Sequence, residues 1–313
     1  MGLKIFITGA CGYLGNVLTT QLASMPEVEQ ITGMDISTQT STSLPAKVKL
    51  IQMDIRSPKL ADAMTGYDVV VHTAFIVLWS KKMPEAVRDD INFNGTRNVA
   101  QAAIKNRVHK FVHASSVAAY DHNYMQGKEP LSENCPIGKG DSFFYYGNSK
   151  ALTEKMLLEI LGPTDILLTM FRMPYIIGPK NRVTVSEFRE NAVLFPGKNP
   201  CTQFVHESDV AQAFAQSIRT NMPGAFNVAP DDSIKYSDLY GVIGAKPRTV
   251  PFWLARLITF IRWNYLGSAM HPAWLEGLLF DSFISNTNLK ATGWSPQYSS
   301  ADAIRTALVE GRE

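Results

Sequence analysis

The feature that most constrains the fold is a glycine-rich turn near the N-terminus, Thr8-Gly9-Ala10-Cys11-Gly12-Tyr13-Leu14-Gly15. The apolar residues 3–7 precede this turn, and residues 16–22 follow it with helical spacing. That order predicts a strand, a turn and a helix. Glycines let the backbone turn tightly and approach a ligand, and the first turn of a helix offers N–H groups and the positive end of a dipole. The turn therefore suits a pyrophosphate group.

A carboxylate further along the chain supports this interpretation. Asp35 ends the next apolar run, residues 31–34, and lies 20 residues after Gly15. A carboxylate at this place can hold the two ribose hydroxyls of an adenosine. The spacing G-x-x-G-x-x-G differs from the commoner G-x-G-x-x-G, and an ordinary turn before a helix is the alternative. With Asp35 in place, the sequence predicts that the chain binds a dinucleotide.

Apolar runs alternate with helical stretches over the first half of the chain, which predicts an α/β fold with a Rossmann-type, doubly wound parallel sheet. Predicted strands are residues 3–7, 30–34, 48–53, 69–72, 111–114 and 166–171, and predicted helices are residues 12–24, 84–106 and 146–161. After residue 174 prolines and glycines interrupt the chain, although residues 205–210 and 225–228 are expected to return to the sheet. We expect a cofactor-binding domain at 1–174, with returns at about 204–230. We expect a smaller, interleaved substrate lobe at 175–313.

Composition narrows the class of protein. A net charge of +2 gives no reason to expect nucleic acid as a partner. The three cysteines, Cys11, Cys135 and Cys201, show neither pairing nor metal-ligand spacing, and no metal site is expected. A strand begins almost at the N-terminus and leaves no room for a signal peptide, so we expect a cytoplasmic protein.

The most apolar segment, residues 252–266, is interrupted by Arg256 and Arg262. It is too short and too charged to span a bilayer, and no transmembrane segment is expected. We expect it to form a helix packed over a substrate pocket. The alternative is that this segment lies on a membrane surface.

One Tyr-x-x-x-Lys spacing has the context of an acid/base pair. Tyr146 and Lys150 open a helical run, so both lie on one helix face. A lysine ammonium there favours the phenolate and can make Tyr146 a general acid/base near neutral pH. Tyr124 and Lys128 have the same spacing but lie in a predicted loop, and Tyr145 has Ser149 as its uncharged i+4 partner.

A hydroxyl is expected close to that pair. Ser116 follows the predicted strand at residues 111–114 and thus lies at a strand's carboxyl end. It has no adjacent histidine and aspartate that would make it a nucleophile. Its expected role is to orient and polarise a carbonyl or an alcohol.

These motifs together resemble those of the extended short-chain dehydrogenases/reductases of the NAD-dependent epimerase/dehydratase type, and the likeness runs nearly from end to end. The segments that carry it are the glycine turn, Asp35, Asp54-Ile55, His72-Thr73-Ala74, Asn92-Phe93-Asn94-Gly95-Thr96, Ser115-Ser116, Tyr146 with Lys150, Arg172 before Gly178-Pro179, Phe204-Val205-His206 before Asp209-Val210, and Gly293-Trp294.

The resemblance implies a role for each matching residue. Gly9, Gly12 and Gly15, with Tyr13 and Leu14 between them, would surround the pyrophosphate of NAD, and Asp35 would bind the adenosine ribose and disfavour NADP. Asp54 and Ile55 would contact the adenine, Thr73 and Ala74 would also belong to the cofactor site, and Asn92 would have a supporting role. Tyr146 would transfer the proton, Lys150 would hold the nicotinamide ribose, and Ser116 would bind the reacting oxygen. The resemblance also implies a homodimer formed through residues 84–106 and 146–161.

The substrate is less constrained by the sequence. The asparagine and arginines with which nucleotide-sugar enzymes of this family hold a diphosphate are missing at their usual places, although Lys180, Arg182, Lys246 and Arg248 are possible replacements. The apolar segments at residues 72–79 and 252–261 are similar to the 3β-hydroxysteroid-dehydrogenase-like branch and suit a small or lipophilic alcohol or ketone.

We therefore expect an NAD-dependent oxidoreductase that acts on a secondary alcohol or ketone. One alternative is a nucleotide-sugar epimerase or dehydratase that retains its NAD. A second alternative is an NAD-binding sensor or scaffold without activity.

Overall fold

The computed structural model describes residues 2–39, 44–121, 129–140 and 144–309. The predicted loop pair Tyr124 and Lys128 lies outside these ranges. The strands are β1 (Leu3–Thr8), β2 (Val28–Asp35), β3 (Val48–Gln52), β4 (Val69–His72), β5 (Lys110–Ser116), β6 (Leu167–Met173), β7 (Tyr175–Ile177), β8 (Val193–Leu194), β9 (Cys201–Thr202), β10 (Phe204–His206), β11 (Gly224–Asn227), β12 (Ile234–Lys235) and β13 (Arg248–Thr249). The helices are α1 (Tyr13–Ala23), α2 (Leu60–Ala63), α3 (Glu85–Asp89), α4 (Thr96–Lys105), α5 (Tyr145–Leu161), α6 (Arg182–Glu190), α7 (Glu207–Arg219), α8 (Tyr236–Val242), α9 (Phe252–Tyr265), α10 (Thr287–Lys290) and α11 (Ser300–Val309).

A seven-stranded sheet forms the centre of the fold, with the order β11-β6-β5-β4-β1-β2-β3. Every neighbouring pair in it is parallel. The order reverses between β1 and β4, and this is where such sheets form their ligand crevice. The predicted α/β fold with a doubly wound parallel sheet is confirmed, and each strand predicted over residues 3–171 is present.

The two faces of this sheet carry separate cores because side chains alternate along a strand. Ile5 and Ile7 point to the face that α1 and α7 cover. Phe6, between them, points to the opposite face, which α2, α4 and α5 cover. A strand buried on both faces is almost wholly apolar, as residues 69–71 are.

Two of the predicted elements differ from the structure. Residues 205–210 do not return to the central sheet, because β10 pairs with β7 in a separate two-stranded sheet. The Nδ1 atom of His206 accepts a hydrogen bond from the Ser208 N–H, and the acidic residues Glu207 and Asp209 stabilise the first turn of α7, so the strand ends there. Residues 225–228 do return to the sheet, as β11 beside β6.

The predicted helix at residues 84–106 is divided. A π-helical turn, Asp90–Gly95, separates α3 from α4. It turns Asn92 into the interior, where the side chain is fully buried.

The second half of the chain covers the carboxyl edge of the sheet. Around Ile177 and Phe204 it forms a further core with α6, α8 and α11. Helix α9 packs against Phe195 and against the 3₁₀ segment Pro272–Leu278. No helix in the described ranges is long and apolar enough to cross a membrane.

Candidate active site

The glycine turn is shaped by the close approach of its own backbone. Gly9 has a φ of 74°, and a Cβ there would lie 2.6 Å from the backbone nitrogen of Ala74. A Cβ at Gly15 would collide with the Gly9 carbonyl oxygen. Gly12 caps α1 without any side-chain hydrogen bond, and the first turn of α1 holds no acidic residue. The first N–H groups of α1 therefore remain suited to an anion such as a pyrophosphate.

Asp35 lies at the end of β2, directly beside this turn. One carboxylate oxygen accepts a hydrogen bond from the Cys11 N–H at 3.0 Å, and the other accepts one from the Ile36 N–H at 2.7 Å. The carboxylate is thereby held at the place where the sequence predicts a ribose.

The two predicted adenine contacts, Asp54 and Ile55, follow β3 at the same edge of the sheet. The Asp54 carboxylate forms an ion pair with Arg56 at 2.6 Å, and this hydrogen-bonded guanidinium holds the pKa of Asp54 below its usual range. Ile55 is buried and belongs to the core on the face of the sheet that α2, α4 and α5 cover. The contact of both residues with adenine stays a prediction.

Three predicted residues, Thr73, Ala74 and Asn92, make contacts that hold the backbone around the site in place. The Thr73 hydroxyl donates to the Thr8 carbonyl oxygen at 2.7 Å, and the backbone of Ala74 lies against Gly9. The Asn92 amide accepts from the Ile76 N–H at 2.8 Å and donates to the Tyr145 hydroxyl at 3.0 Å. Asn92 thus fixes the segment after β4. It also holds the phenol of Tyr145 on the side of α5 that faces Asn92.

Ser116, Tyr146 and Lys150 come together at the carboxyl ends of the neighbouring strands. Ser116 ends β5, and its hydroxyl lies close enough to the phenol of Tyr146 to lower the pKa of that phenol. The Lys150 ammonium donates to the Ala114 carbonyl oxygen at 2.8 Å and lies 3.7 Å from the centre of the Phe75 ring. Its distance to the centre of the Tyr146 ring is 6.0 Å.

The pKa of Tyr146 differs from the expected value. Burial raises it to about 12, and the nearby Ser116 hydroxyl offsets only part of that rise. Burial also lowers the pKa of Lys150 to about 7, which leaves the lysine partly uncharged at neutral pH. Desolvation exceeds the predicted effect of Lys150 on the phenol because the ammonium points towards Ala114 and Phe75. In this structure Tyr146 is a protonated acid at neutral pH.

A buried ion pair lies beneath the lysine. The Arg172 guanidinium donates to both carboxylate oxygens of Glu154, with an Nη2–Oε2 distance of 2.7 Å and Nε distances of 3.0 Å to Oε1 and 3.3 Å to Oε2. The Ser115 hydroxyl donates to the same carboxylate at 2.5 Å. The negative charge of Glu154 favours the protonated form of Lys150 and counteracts its desolvation.

Two buried histidines near Lys150, His72 and His113, stack on each other with ring centres 5.4 Å apart. His72 hydrogen-bonds the hydroxyls of Thr8 and Thr96. Burial lowers the pKa of both rings, and the lysine charge adds to this effect, so both are neutral. No group of three or more potential metal ligands occurs among the described residues.

A cleft of about 440 Å³ joins the turn to these side chains. The predicted residues that line it are Gly9, Gly12, Tyr13, Leu14, Gly15, Thr73, Ser116, Tyr146 and Lys150. The predicted residues that do not line it are Asp35, Asp54, Ile55, Ala74 and Asn92. Among the described side chains of the lining, Lys150 is the cation, and Glu276 and Asp281 are the carboxylates.

Sequence reasoning missed two residues of the site. The Trp274 ring stacks on Tyr146 with their centres 5.4 Å apart, but it comes from a distant segment with no spacing that relates the two. Glu154 lies four residues after Lys150 on the same face of α5, and helical periodicity would have found it.

The sequence of residues 6–211 matches the 3-beta hydroxysteroid dehydrogenase/isomerase family. The chain belongs to this family. The predicted family, with its 3β-hydroxysteroid-dehydrogenase-like features, is therefore confirmed. 3 beta-hydroxysteroid dehydrogenase type 7 of Mus musculus is 29% identical over 213 residues, which cover 63% of this chain and 56% of that protein.

Three other relatives are not named as hydroxysteroid dehydrogenases. An uncharacterized protein of Mycobacterium tuberculosis is 24% identical, over 96% of this chain and 82% of that protein. The N-acetyl-alpha-D-glucosaminyl-diphospho-ditrans,octacis-undecaprenol 4-epimerase of Escherichia coli O157:H7 is 33% identical, over 59% of this chain and 52% of that protein. The UDP-glucose 4-epimerase of Thermus thermophilus, solved with NAD, has a TM-score of 0.76 at 20% identity and covers 99% of this chain and 100% of that chain. This last likeness establishes the shared fold, and the cofactor of that enzyme is the one predicted from the sequence.

Proposed function

We propose that this protein is an NAD-dependent oxidoreductase that interconverts a secondary alcohol and a ketone on a lipophilic substrate. The observation that carries the proposal is the single cleft that joins the glycine turn to Ser116, Tyr146 and Lys150 and continues into an apolar end. Residues 1–174 would bind the cofactor, and residues 175–313 would mainly bind the substrate.

The glycine turn fits NAD because the first turn of α1 has no side-chain cap and no acidic residue, so its N–H groups can receive a pyrophosphate. Gly9, Gly12 and Gly15 would hold the pyrophosphate, and Asp35 the adenosine ribose. When bound, NAD supplies the hydride chemistry. Asp35 repels a 2′-phosphate, so NADP should bind more weakly than NAD.

The protein's own task is to move a proton at the substrate oxygen. Tyr146 is protonated at neutral pH, and its hydroxyl can donate to a ketone oxygen as that oxygen gains charge. Ser116 can donate a second hydrogen bond to this oxygen and polarise the carbonyl group. In the opposite direction Lys150, whose ammonium lies 6.0 Å from the centre of the Tyr146 ring, would stabilise a phenolate.

The substrate end of the cleft favours an apolar molecule. Phe75, Val77, Trp274 and Phe280 line it, and Phe144 and Trp274 pack around the Tyr146 ring. A sugar diphosphate needs cationic groups. The described lining places two carboxylates and only Lys150 there, so a lipophilic alcohol fits better.

A retained-NAD epimerase is the second candidate. It is favoured by the 33% identity to the Escherichia coli epimerase, whose substrate by name is a lipid-linked sugar. Such a substrate also has a long apolar part, which would fit the same lining. Its diphosphate would then have to bind away from Lys150, the cation in the described lining of the cleft.

The test is to follow the absorbance of NADH with about ten hydrophobic secondary alcohols and ketones, and in parallel with UDP-sugars. We expect turnover with members of the first set, and we expect Tyr146→Phe to lower kcat by about 100-fold or more. Tyr145→Phe is the matched control and should keep most of the activity, because Asn92 holds that phenol outside the cleft.

Other outcomes would decide for the alternatives. NAD that survives purification, with interconversion of sugar epimers and no net NADH, would favour the epimerase. Tight NAD binding without turnover of any substrate would favour a sensor. Equal affinity for NADP and NAD would contradict the role given to Asp35.

A further inference from the structure

Helix α9 exposes an apolar face for which the described fold provides no cover. The side chains of Trp253, Leu257, Ile258, Phe260, Ile261 and Tyr265 are exposed, with 66% of Trp253 and 77% of Tyr265 accessible to solvent. Soluble proteins rarely leave so many large apolar side chains together on one surface. This set of residues is called the α9 face below.

The residues of α9 are arranged around the helix in three sectors. At 3.6 residues per turn, the α9 face covers an arc of about 160°. Arg256 and Arg262 lie about 40° beyond its two edges, one on each side. Ala255 and Trp263 occupy the remaining arc and are buried against the protein. The apolar arc therefore points outwards, and a cation stands at each of its borders.

The segment of the chain that contains α9 is basic. Between residues 239 and 275 the sequence has the cations Lys246, Arg248, Arg256 and Arg262 and no aspartate or glutamate. The loop after β4 adds Lys81, whose ammonium lies 4.6 Å from the centre of the Trp263 ring, and its neighbour Lys82. An apolar surface bordered by cations is complementary to a bilayer that contains anionic lipids.

We propose that the α9 face docks this protein on the surface of an anionic lipid bilayer. The helix would lie in the plane of the interface, with its apolar arc among the acyl chains and its arginines at the headgroups. A second copy of the chain is a poorer occupant. In a two-fold dimer through this face, the arginines of both copies would be brought together.

The position of the face also bears on the substrate, a step that rests on the proposed function. Val77 lines the cleft and is partly exposed, and Leu78, the next residue, is more than half exposed. The same loop packs on α9, because the Trp263 indole donates to the Trp79 carbonyl oxygen at 3.3 Å. A lipophilic substrate could therefore pass from the bilayer to the cleft along Val77 and Leu78.

The test is flotation of the full chain with vesicles made of equal parts phosphatidylcholine and phosphatidylglycerol. We expect the chain to float with these vesicles, to float less with pure phosphatidylcholine, and to be released as salt rises to about 1 M. The double variant Leu257→Asp, Ile261→Asp should lower the bound fraction at least about tenfold. Leu158→Asp, on an exposed leucine of α5, is the matched control and should float like the original chain.

A second variant guards against a folding defect in the first. Arg256→Glu with Arg262→Glu should lose the preference for anionic vesicles and keep the same thermal unfolding. Failure of the original chain to float, or equal flotation of the double aspartate variant, would overturn the proposal. A dimer in light scattering that the double variant dissociates, without flotation, would assign the face to a second copy and also overturn it. Flotation needs neither cofactor nor turnover, so its result is independent of the oxidoreductase test.

Discussion

The two ends of the cleft are built from different parts of the chain. The nucleotide end is made of backbone, because Gly9, Gly12 and Gly15 leave space and the first turn of α1 offers N–H groups. The reaction end is made of side chains, with the Tyr146 ring enclosed by aromatic rings and Lys150 above a buried ion pair. A binding site built from backbone tolerates almost no added atom. In a site built from side chains, substitutions of different size can lower the activity by different amounts. Substitutions should therefore have larger effects at the backbone end than at the side-chain end.

The largest effect is expected at the backbone end. Gly15→Val should abolish NAD binding, because its Cβ would collide with the Gly9 carbonyl oxygen and the turn would have to open. Isothermal titration calorimetry with NAD measures this. Gly241→Ala is the control, since no atom lies within 4 Å of its Cβ, and it should bind like the original chain. NAD binding of normal strength by the Gly15 variant would contradict a backbone-built site.

The next largest effect is expected when the buried ion pair that supports the reaction end is broken. Glu154→Ala leaves the guanidinium of Arg172 buried without its carboxylate and should lower the free energy of unfolding by about 3–5 kcal/mol. Urea unfolding measures this as a lower midpoint. Lys290→Ala breaks an exposed ion pair with Asp231 and should shift the midpoint far less. Equal midpoints for Glu154→Ala and the original chain would mean that the buried pair contributes nothing.

A smaller effect is expected at the aromatic wall. Trp274→Ala should raise the KM for a lipophilic alcohol about tenfold, with little change in kcat or in NAD affinity. The reason is that the indole covers Tyr146 and lines the cleft without carrying a proton. Trp274→Phe keeps an aromatic ring and should restore most of the loss. A fall in kcat alone would instead place Trp274 in the chemical step.

The smallest effect is a dependence of stability on pH. Burial lowers the pKa of His72 to about 3, and also lowers that of His113, so both are neutral when folded. The unfolded chain binds these protons below about pH 6.5, and stability therefore falls as the pH drops below that value. Each histidine adds a slope of up to about 1.4 kcal/mol per pH unit. His113→Leu should reduce the measured slope by one proton, and an unchanged slope would mean that His113 is already protonated in the fold.

The same difference explains what the sequence could predict. Gly9, Gly12, Gly15 and Asp35 are close in sequence or at a fixed spacing, so their structure followed from local rules. Tyr146 and Lys150 were found together because one helix turn links them, but the direction of the ammonium depends on packing against Phe75, from another element. Trp274 reaches the site through the tertiary fold alone. The strand expected at residues 205–210 was too long, because a histidine cap and two acids begin a helix after His206.

The π-helical turn at Asp90–Gly95 restricts where homologous sequences can lose a residue. The turn holds one residue more than an α-helix would, and this extra residue brings Asn92 to Ile76 and Tyr145. Deletion of a single residue here would restore a regular helix and rotate Asn92 by about 100° away from both partners. We expect deletions between residues 90 and 95 to be excluded among functional homologues, because the count of residues in this turn is itself part of the active-site scaffold.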